Sequence, residues 1–262
     1  MDIYNLIKNN FLPGKKRVLE AGCGNGDFLR EASSQYPDIV FYGVDPYINT
    51  YNEGNLYLIR EYAENIAKLP GWFDLIFSIH SLHHFSSAEE FFKSCEGKLK
   101  LNGELIIYDW KQGAKTGIPE KYYSLGEIKK FIEKTFLKIV SAYTEGENNI
   151  LIATKKVAFV AVATDDGETV FEKMFGRATF FKIYEYRNGK LSYRKTIRNK
   201  YRDTFQHLKT YDVYSQVDFC EFIITGNIGK KGEQRLKSLG TEIIKAKGNI
   251  ENVIYSSFKE KI

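Results

Sequence analysis

The 262-residue chain has little that would cross-link it or hold it in a membrane. Its three cysteines, Cys23, Cys95 and Cys220, are odd in number, scattered, and form no C-x-x-C pair. That excludes a disulfide framework and argues against an all-cysteine zinc or iron–sulfur site. No apolar run reaches the roughly 18–20 residues that span a bilayer. The opening Met1-Asp2-Ile3-Tyr4-Asn5 lacks the charged-then-apolar layout of a secretory signal. A cytoplasmic protein with reduced thiols and no membrane partner is expected. Also absent is any Pro/Gly/Ser-rich linker, so a division into domains has to be sought in pattern and charge.

Charge supplies the first sign of one. Residues 156–262 hold 20 Lys/Arg against 13 Asp/Glu, and residues 1–155 hold 18 against 20. A basic segment behind a nearly neutral one suggests two units with different partners.

In the first unit one stretch organises the rest, Val18-Leu19-Glu20-Ala21-Gly22-Cys23-Gly24-Asn25-Gly26-Asp27. It reads as a buried strand, a turn with three glycines at alternate positions, and a helix beginning near Asp27. Glycine serves where a backbone takes positive φ or lets a ligand approach, and a turn of this kind after a strand is a common ligand site in α/β sheets. The spacing is G-x-G-x-G, which differs from the dinucleotide fingerprint G-x-G-x-x-G. Downstream, Val40-Phe41-Tyr42-Gly43-Val44-Asp45 is a second apolar run closing on an acid. Gly26 and Asp45 are 19 positions apart, as suits an acid at the next strand tip that accepts from ribose hydroxyls. Asn55 to Glu61, Phe73 to His80 and Gly103 to Trp110 read as further strands, with Asn102-Gly103 as a turn. Helices are expected over Tyr4 to Phe11, Asp27 to Tyr36, Ala88 to Lys100 and Leu125 to Thr135. Leu137 to Tyr143 and Asn149 to Thr154 look like a closing antiparallel pair. Strands alternating with helices indicate a doubly wound, mainly parallel sheet.

Residues from about 15 to 156 resemble the class I S-adenosylmethionine-dependent methyltransferases. The carriers are the Glu20–Gly26 turn, Asp45, Ala63-Glu64-Asn65, and Phe73-Asp74-Leu75-Ile76 running into Leu82-His83-His84. The resemblance implies a Rossmann-like fold with S-adenosylmethionine held by Glu20, Gly22, Cys23, Gly24 and Gly26, with Asp45 and Pro46 at the ribose. It further implies Tyr62, Ala63 and Glu64 beside the adenine, and Ser78, Ile79 and His80 on the far side. The family often has Asp where this chain has Tyr62. Methyl transfer asks only for alignment of the nucleophile and, at most, a base, for which His80 and His83 are the candidates. The alternative is that His83 and His84 merely cap and pack their loop. No third ligand sits at a suitable spacing to make the His-His pair a metal site.

Val157 begins a second apolar strand at once, placing the domains at 1–156 and 157–262. Strands are expected over Val157 to Thr164, Ala178 to Tyr186, Lys190 to Arg198, Glu221 to Gly226 and Thr241 to Ala246. Thr169 to Arg177 reads as an irregular loop, Asn188-Gly189 as a hairpin turn, and Phe205 to Gln216, Gly229 to Leu239 and Asn249 to Lys259 as helices. Val160 to Gly167, Phe175 to Glu185, Ile223 to Gly229 and Leu239 to Ile244 resemble the dinitrogenase iron–molybdenum cofactor biosynthesis family. That implies a small ribonuclease-H-like α/β domain which holds, carries or senses a metallocluster. Many relatives place His where this chain has Met174, a soft, weak ligand. With His207 it is the metal candidate of this unit, while Cys220 opens an apolar strand and reads as buried.

From Arg187 to Arg202 there are seven Lys/Arg and no Asp/Glu. If the strand alternates, Lys190, Arg194 and Arg198 share one face, and with Arg177 they form a candidate anion-binding surface. A solvated edge hairpin is the other reading. The sequence thus points to an S-adenosylmethionine-dependent methyltransferase of unnamed, small-molecule or metabolite acceptor. Its accessory domain would bind a metallocluster, an anionic substrate or a partner protein. A non-catalytic metallocluster carrier or sensor, and an RNA methyltransferase using the basic hairpin, are the alternatives.

Overall fold

The computed structural model describes residues 3–117, 120–187, 189–204 and 209–259. Its contacts divide it into two units, Met1–Lys156 and Val157–Ile262. No helix among the described residues is long and apolar enough to cross a membrane.

The first unit carries strands β1 (Arg17–Ala21), β2 (Val40–Asp45), β3 (Tyr51–Glu53), β4 (Leu56–Arg60), β5 (Phe73–Ile79), β6 (Leu99–Trp110), β7 (Leu137–Glu145) and β8 (Asn148–Lys155). Helices α1 (Ile3–Leu6), α2 (Asp27–Gln35), α3 (Ala88–Lys98) and α4 (Leu125–Glu133) accompany them. The sheet order is β3-β4-β2-β1-β5-β6-β8-β7. Strands β4, β2, β1, β5 and β6 run parallel, and β8 and β7 close the sheet antiparallel to β6 and to each other. Every residue of β1 is buried, as a central parallel strand covered on both faces requires. One face packs Leu19, Tyr42, Phe73 and Leu105 against Phe91, Phe92, Ile128 and Ile132 of α3 and α4. The other packs Val18, Phe41, Phe77 and Ile106 against Ile3, Phe28, Leu29 and Ala32 of α1 and α2.

Local chemistry sets the helix starts. Ser87 accepts the Glu90 N–H at the head of α3, and Ser124 forms a reciprocal capping box with Glu127 at α4. At the amino end of the sheet, Asp74 accepts the N–H groups of Lys16 and Arg17 at 2.9 and 2.8 Å and pairs with Lys100 at 2.8 Å. The buried Arg17 guanidinium donates to the carbonyls of Trp72 and Pro70. Two details depart from expectation. The expected Asn102-Gly103 turn lies inside β6: Asn102 takes φ of 62° while the strand continues. A Cβ on Gly103 would meet the Lys100 carbonyl oxygen at 2.8 Å, so glycine permits the kink. The short edge strand β3 pairs antiparallel with β4 across Gly54 at φ 57°, and the alternation of so brief a segment gives no warning of it.

The second unit is also α/β, with β9 (Val157–Thr164), β10 (Thr169–Val170), β11 (Phe180–Arg187), β12 (Lys190–Arg198), β13 (Phe222–Thr225), β14 (Glu242–Lys245) and β15 (Gly248–Asn249). Helices are α5 (Lys209–Tyr214), α6 (Lys230–Ser238) and α7 (Ile250–Phe258). Its five-stranded sheet runs β12-β11-β9-β13-β14, with β10 and β15 pairing separately. The segment expected as irregular thus contributes β10. Asn188 of the expected hairpin turn, and the start of the helix expected from Phe205, lie outside the described residues.

Candidate active site

In the first unit the strand order reverses between β1 and β5, the crevice where open α/β sheets bind ligands. The segments leaving β1, β2, β4 and β5 enclose a cavity of about 570 Å³ there, within the range of small-molecule sites. Gly22, Val44, Asp45, Pro46 and Tyr47 form one wall, Tyr62, Ala63 and Glu64 another, and Ser81, His84, Phe85 and Ser86 a third.

The turn after β1 owes its shape to glycine. Gly22, Gly24 and Gly26 take φ of 74°, 54° and 75°, values L side chains rarely adopt. They differ in what surrounds them. A Cβ on Gly22 would lie 2.4 Å from Ser81 Cβ, whereas one on Gly24 would meet nothing within 4 Å. Asp45 closes the turn by accepting the Gly24 N–H at 3.1 Å and the Tyr47 N–H at 2.9 Å. Each carboxylate oxygen retains a further acceptor site. Glu64 is fixed by the Ser87 N–H at 2.9 Å.

Beneath the turn lies Glu20, fully buried, with Oε1 accepting from the Tyr4 hydroxyl at 3.4 Å and Oε2 unpartnered. Burial pushes its carboxyl up to about 8. Burial also raises the Cys23 thiol, with the charges of Glu20 and Asp45 adding to it.

The histidines separate by environment. His80 adopts φ of 48°, stacks on Trp110 with centroids 4.1 Å apart, and bonds Asn148 Oδ1 through Nε2 at 2.8 Å. His83 is held by the buried Asp109, whose Oδ1 lies 2.7 Å from its Nδ1 and whose Oδ2 accepts its backbone N–H. Its Nε2 faces Glu120 Oε2 at 3.4 Å, and His84 Nδ1 lies 3.9 Å from Glu120 Oε1.

Residues 4–139 match the profile of a methyltransferase domain family. The chain belongs to that family. Residues 156–259 match the dinitrogenase iron–molybdenum cofactor family. Among relatives, a tRNA U34 carboxymethyltransferase of Sulfurimonas denitrificans is 27% identical over 113 residues, covering 40% of this chain and 38% of its own. A protein of Encephalitozoon cuniculi named as a candidate methyltransferase is 30% identical over 115 residues, 41% of this chain and 51% of that one. The chain therefore spans 38% and 51% of the lengths of these curated relatives. A solved S-adenosylmethionine dependent methyltransferase from Aquifex aeolicus superposes with a TM-score of 0.44 at 21% identity, covering 53% of this chain and 81% of that one.

Within the methyltransferase domain, Gly22, Asp45, Pro46, Tyr62, Ala63 and Glu64 of the sequence-derived set line the cavity. From the strand after them, Ser81 and His84 line it, where the sequence suggested Ser78, Ile79 and His80; Ser78 points into the core with its hydroxyl unpartnered. The change of direction at His80, two residues after Ser78, precedes the residues that form the wall. Glu120 escaped sequence reading because it comes from the patternless insert after β6 and joins the histidines only in space.

In the second unit the basic hairpin corrects one expectation. Tyr184 pairs with Tyr193 but Ile183 pairs with Lys195, so Arg194 is the extra residue of a β-bulge. Strand alternation flips there, and Lys190 and Arg198 fall on opposite faces. Arg194 and Arg187 both pair with the buried Glu185, at 2.6 and 2.8 Å, so one carboxylate offsets half of their combined charge. Arg177 stands in the turn before β11. Met174 is 42% exposed and bridges to Asn227, and His207 lies outside the described residues. Cys220 is buried, and burial raises its thiol. A cavity of about 510 Å³ is lined by Thr164 to Glu168 with Phe180, Lys182, Tyr193 and Thr196.

Proposed function

We propose that the first unit binds S-adenosylmethionine and transfers its methyl group to a small acceptor. The observation that carries the reading is the ligand-sized cavity at the β1/β5 reversal, walled by the glycine turn and Asp45. The residues present fit the cofactor: Gly24 leaves open space where a side chain would stand, and Asp45 keeps acceptor sites for ribose hydroxyls. When bound, the cofactor supplies an electrophilic sulfonium methyl.

The chain's own residues then position it. Gly22, Gly24 and Gly26 let the backbone lie against the amino-acid portion, with Glu20 and Cys23 beneath and beside it. Asp45 and Pro46 hold the ribose, and Tyr62, Ala63 and Glu64 flank the base. Ser81 and His84 close the distal side, on the loop that follows Ser78, Ile79 and His80. His83 is oriented by Asp109 and faces Glu120, and the stacked and bonded His80 serves packing.

The second unit, in this reading, presents the acceptor or an anionic partner to the first. Its support is the profile match over residues 156–259; the cavity at its strand ends sets Asp165, Asp166 and Glu168 against Lys182 alone and adds nothing for an anion. An RNA acceptor draws support from the name of the Sulfurimonas relative, but the division of the β12 hairpin's charges between two faces favours a smaller one.

Calorimetric titration with S-adenosylhomocysteine tests the reading. Binding weakened about 10–100-fold by Asp45→Ala is expected, in line with the loss of a charge-assisted bond of about 1.5–3 kcal/mol. Absence of binding, or an Asp45→Ala variant that binds like the parent, would end it. Metal analysis after anaerobic reconstitution tests the carrier alternative, which requires bound iron or molybdenum that depends on Met174 or His207.

A further inference from the structure

The cluster His83, His84 and Glu120 is unexplained by cofactor binding. Asp109 is buried and accepts the N–H groups of His83 and Trp110 as well as facing His83 Nδ1 at 2.7 Å. A carboxylate in this role only accepts, so the neutral His83 ring carries its proton on Nδ1 and turns the Nε2 lone pair outward. What Nε2 meets is Glu120 Oε2, another acceptor, at 3.4 Å. The Tyr122 hydroxyl, 3.0 Å away, donates to that same oxygen and fixes the carboxylate. His84 Nδ1 completes the group, and all three ligand atoms lie within 4.8 Å of one another. Acceptors that converge in this way repel unless a cation lies among them.

We propose that His83 Nε2, His84 Nδ1 and Glu120 bind a divalent first-row transition ion of the zinc class, with Asp109 as the outer carboxylate that orients His83. Metal–ligand bonds of about 2.0–2.2 Å place the ligands of a tetrahedral ion about 3.3–3.6 Å apart, so the His83–Glu120 pair already has the required separation. A carboxylate behind a ligating imidazole is the usual support for such a ligand. Two histidines and one carboxylate leave a coordination position open. His84 also lines the cavity that holds Gly22 and Asp45, so the open position takes an oxygen or sulfur donor at that cavity. Resting on the methyl-transfer reading, that donor is the acceptor's hydroxyl or thiol. Coordination lowers its pKa and its proton leaves to solvent. The resulting lone pair bonds the methyl carbon, and the methyl–sulfonium bond breaks with its electrons passing to sulfur.

The test is an anaerobic titration of the tag-free, chelator-stripped full chain with cobalt(II) chloride, followed by visible absorption. One equivalent showing the d–d bands of four- or five-coordinate cobalt, displaced by zinc, is expected. Glu120→Gln and His84→Ala should each weaken binding at least tenfold, and Asp109→Asn by about 10–100-fold, with tryptophan emission confirming that each variant is folded. Bands that persist in both His84→Ala and Glu120→Gln, or that vanish in Met174→Leu, would overturn the proposal. So would the absence of bands at millimolar cobalt. Calorimetry with S-adenosylhomocysteine is read separately: its failure beside intact cobalt bands refutes the methyl-transfer reading alone.

Discussion

Replacing Glu20 by Gln should flatten the pH dependence of stability of the first unit. The Glu20 carboxyl is buried with one oxygen unpartnered, and burial carries it to about 8, against about 4.3 when unfolded. Between those values the folded chain holds a proton that the unfolded chain has released. The unfolding free energy therefore falls as pH rises from about 4.3 to 8 and levels above it. Integrated over the window, this linkage is about 5 kcal/mol, and even a third of it, ~1.5 kcal/mol, is readily measured. The assay is urea unfolding followed by tryptophan emission at several pH values. Trp72 and Trp110 are the chain's two tryptophans and both lie in the first unit, so the second unit is silent. Glu20→Gln carries a pH-independent cost for its unpartnered amide, about 1–3 kcal/mol, but keeps no titrating group. The difference between parent and variant should thus change steadily across the window and be constant above pH 8. Parallel curves for the two proteins would refute the reasoning.

The glycine turn predicts a divided outcome. Gly24→Ala should fold with a strain penalty of about 1–2 kcal/mol yet lose S-adenosylhomocysteine in calorimetry, while Gly22→Ala should lower the melting temperature outright through its collision with Ser81. Asp74→Ala removes the acceptor of two backbone N–H groups and the Lys100 partner, and should cost about 2–3 kcal/mol in the same urea assay. Among the thiols, Cys95 and Cys220 are fully buried and Cys23 is partly exposed with its thiol raised, so a thiol reagent should modify Cys23 slowly in native protein and the other two only in denaturant.

Much of the first unit was legible because its signals are local. Central parallel strands show as continuous apolar runs, and the turn glycines show because their φ values demand them. The expected cavity wall from β5, Ser78 to His80, begins three residues before the observed one, which starts at Ser81. The apolar run ends at Ile79, but the chain turns at His80 through a left-handed conformation that no periodicity announces. Lys190 and Arg198 were placed on one face because alternation was carried through Arg194, and a bulge leaves no mark in composition. The His83–His84 pair looked incomplete as a ligand set because its third member, Glu120, stands 36 positions away in an insert without pattern. Sequence spacing finds ligands that share an element and misses those that a loop brings back.

The anchoring of the sheet's amino end by Arg17, Asp74 and Lys100 has a consequence for how this protein can change. Five steps along β1 lead from Arg17 to Gly22, about 17 Å at the rise of a strand, beyond the range over which substitutions usually couple. Robustness and selectivity are therefore housed at opposite poles of one sheet. Variants that strengthen the anchor should combine additively with variants that reshape the cavity. The loops around His84 and Glu120 are free to drift toward new acceptors while the scaffold beneath them stays whole.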